Sequence, residues 1–104
     1  MENVGALTEV SLFILLSLYE PRHGYAVMQY IEQQSEGRLK LGAGSLYGAL
    51  NNLADKAWIE PLGDADRRRR EYRITRLGKQ VVQGEIQRLR QLTAIAEKIV
   101  GEAL

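Results

Sequence analysis

Residues 42–57 read GAGSLYGALNNLADKA, with three glycines in a stretch that otherwise looks helical. Leu46, Leu50 and Leu53 recur at helical spacing, which predicts a helix over about residues 43–56 with one apolar stripe facing a core. The same helix contains two glycines, and a glycine destabilises a helix interior by about 0.5–1 kcal/mol relative to alanine. The side of the helix on which these glycines lie therefore indicates whether they serve a close contact.

The two glycines fall on the outward face. At about 100° per residue, Gly44, Gly48 and Asn51 lie nearly opposite the leucine stripe, with Tyr47 and Asn52 at its shoulders. A helix without side chains there can approach another surface closely. Helix N-terminal amides favour phosphate and asparagine can pair with adenine in the major groove, so we expect this face to contact DNA. Glycines that are simply tolerated on a solvated surface would give the same spacing, and both interpretations stay open.

The distribution of charge indicates an anionic partner. The chain has 104 residues, 45% of them hydrophobic, and a net charge of only +1, so we expect one domain with a packed core. Residues 38–79 carry ten Lys or Arg against five Asp or Glu, whereas residues 1–37 carry one against five. A basic middle in a nearly neutral chain indicates one surface that binds an anion.

The sequence offers little material for an enzyme, a metal site or a membrane span. His23 is the only histidine and cysteine is absent, so we expect His23 to make a capping or turn hydrogen bond instead. The apolar run at 10–19 is too short to span a membrane. Because a chain without cysteine also fits a reducing compartment, we expect a cytoplasmic protein that needs no cofactor.

The segments on either side complete a familiar order of elements. Two helices are predicted before the quoted stretch, one capped by Thr8 and ended before Pro21, the other running from His23 to about Gly37. Strand-like residues at 58–62 and 72–74 predict a β-hairpin, and the turn between them carries four arginines. The rest of the chain predicts one long helix.

Three helices followed by a hairpin is the order of a winged helix-turn-helix. The predicted fold is mainly α, an α+β winged helix-turn-helix with a three-helix core, a two-stranded wing and a long C-terminal helix. The second and third helices form the helix-turn-helix. We place the DNA-binding domain at residues 1–75 and a C-terminal dimerisation helix at residues 76–104, as one compact unit.

Three motifs give the chain a family resemblance. They are HGYAVMQYIEQ at 23–33, GSLYGALNNLADKAWIE at 44–60 and RRREYRITRLGKQ at 68–80. In this order and spacing the chain resembles the PadR family of bacterial transcriptional regulators, specifically its short members with one C-terminal helix. The resemblance implies a homodimeric regulator, usually a repressor, that binds double-stranded DNA at a pseudo-palindromic operator.

The candidate DNA-binding residues come from the outward face, the wing and the resemblance, which places both tyrosines near DNA. They are Tyr25, Lys40, Gly44, Ser45, Tyr47, Gly48, Asn51, Asn52, Arg67, Arg68, Arg69 and Arg70. For the arginine run we expect contact with phosphate or with the minor groove. A solvated wing tip that contacts no DNA could have the same sequence. The other function class left open is a winged-helix module for protein association that has lost specific DNA binding.

The long helix is predicted to dimerise. Its apolar stripe needs a surface to cover it, and the resemblance implies packing on the first helix and on the same helix of a partner. Folding back on its own domain is the alternative. The predicted interface residues are Leu7, Val10, Ile14, Val82, Ile86, Leu89, Leu92, Ala96, Ile99 and Val100.

Several positions depart from the family pattern. Gly42 and Ala43 replace a frequent Ser-Pro, which removes the usual side-chain cap of the third helix. Ala57 stands where a left-handed glycine usually ends that helix, and alanine there would cost about 1–2 kcal/mol, so a different helix end is an alternative. Glu71 replaces a wing tyrosine. Leu89 replaces the aromatic residue that lines the effector pore of some relatives, so an aromatic effector is not expected and a small apolar one stays open.

Overall fold

The computed structural model describes residues 5–63 and 69–103, and its elements follow the predicted order. They are α1 (Glu9–Ser17), β1 (Arg22–His23), α2 (Gly24–Gln34), α3 (Ala43–Asp55), β2 (Ile59–Leu62), β3 (Glu71–Ile74) and α4 (Arg76–Ala103). The predicted fold, a winged helix-turn-helix with a long C-terminal helix, is confirmed. Helix α3 begins and ends within one residue of its predicted bounds.

The sheet has one strand more than the sequence predicted. Its order is β1-β3-β2, with both pairs antiparallel, so the predicted hairpin gains β1 along its β3 side. Arg22 pairs with Tyr72 and His23 pairs with Glu71. Two residues are too few for an alternating pattern, so this strand cannot be predicted from hydrophobic periodicity. Pro61 lies in the edge strand β2, where its missing N–H is tolerated.

The core lies where the three short helices meet the sheet and the first turns of α4. The leucine stripe of α3 is buried there as predicted, and the opposite face of α3 points away from the core. The buried apolar residues are Ile14, Leu15, Leu18, Val27, Ile31, Leu46, Leu50, Leu53, Trp58, Ile59, Tyr72, Ile74, Val81 and Val82.

Side chains cap the first two helices. The Thr8 hydroxyl accepts a hydrogen bond from the backbone N–H of Ser11 at 3.0 Å, which confirms the predicted start of α1. His23 caps α2, because its Nδ1 accepts from the N–H of Ala26 at 3.3 Å. The structural role predicted for the single histidine is therefore confirmed.

Helix α3 lacks a side-chain cap at its start and ends in a left-handed residue. Gly42 occupies the cap position and has no side chain to offer. Ala57 has a φ of 61° and donates its N–H to Ala54 at 2.9 Å, while Trp58 donates to Leu53 at 3.1 Å. This is a Schellman motif, so Ala57 takes the left-handed position that the family resemblance assigns to glycine, at a cost of about 1–2 kcal/mol for alanine. The alternative of a different helix end is wrong.

Helix α4 begins two residues after β3 and is fixed to the sheet at once. The Thr75 hydroxyl accepts from the N–H of Gly78 at 3.0 Å and donates to the carbonyl of Ala57 at 2.7 Å. The Thr75 N–H also donates to the Trp58 carbonyl at 3.0 Å. A Cβ at Gly78 would lie 2.1 Å from that same Trp58 oxygen, so only glycine fits this helix–sheet contact.

The remainder of α4 extends away from the domain. Its buried residues end at Glu85, and every described residue from Leu89 onward is exposed. The chain therefore measures 55 Å along its longest axis but only 20 Å along its shortest. Among the residues that the structure describes, no helix combines the length and apolar character needed to cross a membrane.

Candidate nucleic-acid interface

The outward face of α3 is open. Five of the predicted DNA-binding residues on this helix are exposed, namely Gly44, Ser45, Gly48, Asn51 and Asn52. A Cβ added at Gly44 or Gly48 would meet no atom of the described chain within 4 Å. The predicted orientation of the helix is therefore confirmed. That the face contacts DNA stays a prediction.

The two predicted tyrosines lie close to the N-terminus of α2, Tyr25 within that helix and Tyr47 on the neighbouring α3, and they differ in exposure. Tyr25 is 61% exposed and follows the buried Gly24. Tyr47, from α3, is half-buried and its ring lies against Gly24. Tyr25 is thus accessible to a partner, whereas much of the surface of Tyr47 is used inside the protein.

Two exposed ion pairs involve the link between α2 and α3. Arg38 pairs with Glu9, and their hydrogen bond raises the pKa of the Arg38 guanidinium and lowers the pKa of the Glu9 carboxyl. Lys40 Nζ lies 3.8 Å from Glu32 Oε1, with the lysine largely exposed. Exposed pairs of this kind contribute little stability, so Lys40 remains available to a phosphate, with its charge partly offset by Glu32.

Only part of the predicted wing surface can be located. Arg67 and Arg68 lie outside the described residues. Arg69 is exposed and Arg70 is half-buried, at the entrance to β3. On the sheet itself, Arg73 Nε donates to Glu60 Oε1 across the hairpin at 2.8 Å, which balances one arginine with a carboxylate.

The predicted interface residues divide into three groups by their exposure in the protomer. On α4, Leu89, Leu92, Ala96, Ile99 and Val100 are exposed, while Leu7, Val10 and Ile86 are half-buried. Ile14 and Val82 are 0% and 1% exposed, because both pack inside the protomer core. Including these two in an interface was wrong. Apolar residues at helical spacing predict that one face of a helix is buried. They do not show whether that face is buried in the chain's own core or against a second chain.

Sequence reasoning missed one buried carboxylate. Glu85 on α4 accepts from the N–H of Leu7 at 3.3 Å and from Arg88 Nε and Nη2 at 2.6 and 2.8 Å. The Arg88 hydrogen bonds lower the pKa of the Glu85 carboxyl, against the opposing effect of burial. The signal was its position between Val82 and Ile86, on the face that turns inward. The hydrogen bond between Leu7 and Glu85 connects the segment before α1 to α4.

A cavity of about 280 Å³ lies between the segment before α1 and the C-terminal half of α3, and its walls mix apolar and polar side chains such as Leu7, Trp58, Asn52 and Lys56. A small apolar effector stays a prediction. Within residues 5–63 and 69–103, no three His, Asp or Glu side chains lie close enough together to hold a metal ion.

Comparisons with known proteins agree with this arrangement. The sequence profile of the transcriptional regulator PadR-like family matches residues 12–84. An uncharacterized 37.1 kDa protein in transposon Tn4556 of Streptomyces fradiae is 36% identical over 86 residues, which are 82% of this chain and 24% of that protein. The chain thus spans about a quarter of the length of the curated relative that it matches.

Solved structures show the same fold. A transcriptional regulator from Clostridium thermocellum is similar with a TM-score of 0.76 and 24% identity, over 88% of this chain and 89% of that one. RosR of H. salinarum is similar with a TM-score of 0.70 and 25% identity, over 95% of this chain and 99% of that one.

Proposed function

The chain belongs to the PadR-like family of transcriptional regulators, and from this premise we propose that it is a sequence-specific DNA-binding repressor. It acts in the cytoplasm as a homodimer on a pseudo-palindromic operator. One observation carries the proposal: the recognition helix α3 has an unobstructed outward face, with Gly44 and Gly48 open toward solvent and Asn51 beside them. The family is one of regulators and is not an enzyme class.

In the proposed complex, α3 lies in the major groove. The two glycines let its backbone come close to the base edges, and Asn51 is placed to pair with adenine through both its amide atoms. Ser45 stands in the first turn of the helix, where free backbone N–H groups attract a phosphate. Base contacts of this kind supply specificity.

Phosphate contacts come from the basic residues around α3. The proposed phosphate contacts are Tyr25 and Lys40, which precede the helix in sequence, and Arg69, which follows it. All three residues are exposed. Arg67 and Arg68 belong to the same proposed wing contact. Such contacts position the protein on the duplex and make its affinity depend on salt.

The second copy of the chain binds along α4. Its exposed apolar residues, such as Leu92, Ile95 and Ile99, are 51%, 50% and 60% exposed in the protomer, which leaves a continuous apolar surface of the kind found at interfaces. A two-fold axis between the two copies of α4 would present both copies of α3 to one face of the duplex. Two-fold symmetry of this kind is what a pseudo-palindromic operator matches.

The proposal is tested by selecting duplexes from a randomised library with the unmodified protein. Affinity is then measured for the selected duplex and for a random duplex of equal length, at two salt concentrations. We expect the selected duplex to bind at least about a thousandfold more tightly. Equal affinity for both duplexes would favour the protein-association module instead.

Substitutions on α3 test which face reads the bases. Gly48→Leu should raise the melting temperature, since leucine stabilises a helix by up to about 1 kcal/mol over glycine, and should abolish binding to the selected duplex. Asn51→Ala should leave the melting temperature nearly unchanged and reduce discrimination by about 1–3 kcal/mol at one base pair. A Gly48→Leu protein that still binds the selected duplex tightly would mean that another face contacts DNA.

A further inference from the structure

The two helices of the helix-turn-helix touch at a glycine. Gly24 is the first residue of α2, and the ring of Tyr47 from α3 lies directly on it. A Cβ atom at position 24 would stand 2.9 Å from Tyr47 Oη and 3.1 Å from its Cε1 and Cζ atoms. Real Cβ atoms almost never approach other atoms below 3.0 Å, so a side chain at position 24 requires the tyrosine to move.

This close approach distinguishes Gly24 from the other glycines nearby. At Gly44 and Gly48, on the same helix as Tyr47, an added Cβ would meet nothing within 4 Å among the described atoms. Backbone conformation does not require glycine at position 24 either, because the residue is helical and has no positive φ. The small size of Gly24 therefore serves its contact with Tyr47.

The contact fixes α3 at a second point. On the core side, Leu46 and Leu50 belong to the same buried cluster as Val27 and Ile31 of α2, which sets the separation of the two helices. Tyr47 lies at the shoulder, between the leucine stripe and the outward face. Contacts on two sides of a helix restrict its rotation about its own axis, which a single apolar stripe would leave less well defined.

We propose that Tyr47 is a positioning residue. By resting on Gly24 it sets the rotation at which α3 presents Asn51 to the base edges, so the pair determines sequence selectivity more than overall affinity. The reason is that bidentate base contacts demand a narrow geometry, whereas attraction to phosphates tolerates small rotations. The inference rests on the proposed DNA-binding function. Tyr25, the exposed neighbour of Gly24, is the tyrosine proposed above to contact phosphate.

A double-mutant cycle tests the pair. Tyr47→Leu removes the three atoms that a Cβ at position 24 would meet, so Gly24→Ala is measured with tyrosine and with leucine at position 47. The readout is the affinity for the selected duplex divided by that for a random duplex. Gly24→Ala should lower this ratio about tenfold beside Tyr47 but less than about twofold beside leucine, because only contacting residues couple in this way. Gly84→Ala is the matched control, at an exposed position of α4 where a Cβ is unobstructed by the described chain, and it should leave the ratio unchanged.

Three results would overturn the inference. One is an equal effect of Gly24→Ala in both backgrounds, and another is an equal loss of affinity for both duplexes. The third comes from Tyr47→Phe, which keeps the ring on Gly24 without the hydroxyl and should retain the ratio within about twofold. A loss as large as that of Tyr47→Leu would make the hydroxyl a direct contact instead. Failure of the proposed function is recognised separately, since the unmodified protein would then show no selectivity before any substitution.

Discussion

The two halves of α4 share one apolar periodicity but have opposite surroundings. In the first half, Val81 and Val82 are buried against the chain's own domain, whereas in the second half Leu92, Ile95 and Ile99 are at least half-exposed. The same spacing therefore serves a core in one half and an uncovered face in the other. The two halves differ in the elements that pack against them, and the apolar spacing of a helix does not predict those elements.

The sharpest test of this difference is an aspartate in the buried half. Val82→Asp would place an unpaired charge among core residues, and such a charge costs about 3–5 kcal/mol. We expect the protein to be largely unfolded at 25 °C by circular dichroism and chemical denaturation. A Val82→Asp protein as stable as the unmodified one would mean that the first half of α4 is not part of the core.

A smaller effect is expected where α4 meets the sheet. Gly78→Ala puts a Cβ against the Trp58 carbonyl, and overpacking of this kind costs about 1–3 kcal/mol. Gly84→Ala, on the exposed side of the same helix, should instead stabilise the protein by up to about 1 kcal/mol. Urea denaturation of both variants gives the two values, and effects of the same sign would contradict the helix–sheet contact.

The third test concerns the point where the two halves join. Glu85→Gln removes the charge that Arg88 and the Leu7 N–H contact, at an expected cost of about 1 kcal/mol, since Arg88 is partly exposed and its attraction is screened. Because folding lowers the pKa of the Glu85 carboxyl, its contribution is present above the ordinary glutamate pKa and is lost as pH falls through the lowered value.

The control for this pH dependence is the variant itself. Acid denaturation curves of the two proteins should converge as the pH falls, because protonation removes in the unmodified protein what Glu85→Gln removes at every pH. A stability difference that stays constant from neutral to strongly acidic pH would mean that the carboxylate charge contributes nothing.

The smallest change in protomer stability is expected in the exposed half. Ile99→Asp touches no core residue and should alter the free energy of unfolding of the monomer by no more than about 0.5 kcal/mol. It should nevertheless convert the proposed dimer to a monomer in sedimentation equilibrium. Arg90→Asp, which lies nine residues before Ile99 and therefore on the opposite, exposed side of α4, should leave the dimer intact. A dimer that survives Ile99→Asp would show that the two copies associate elsewhere.

Much of the fold could be predicted because local patterns and tertiary contacts agree. The leucine stripe of α3, the caps Thr8 and His23, and the outward position of Gly48 all follow from spacing and side-chain chemistry. Strand β1 could not be predicted, because its two residues, Arg22 and His23, form a strand only through pairing with β3.

The errors at the candidate interface have one cause. Helix α1 is apolar on most sides, so its sequence does not reveal that Ile14 faces its own core. Val82 belongs to the same apolar stripe of α4 as Ile99. Val82 packs against the chain's own domain, whereas Ile99 is exposed. The contacts of Glu85 and Tyr47 could not be predicted for a related reason, since each is made with a residue distant in sequence, Leu7 and Gly24 respectively.

The direct attachment of α4 to β3 has a consequence for the length of the operator. Thr75 and Gly78 fix the helix to the sheet within four residues, so the proposed dimer holds its two recognition helices at a set distance and a set angular offset. Successive half-sites on one face of the duplex repeat about every 10–10.5 base pairs. An insertion of about five base pairs between them would turn one half-site to the far side of the duplex, away from the recognition helix that this attachment holds on the near side, and we expect the second subunit to remain unbound.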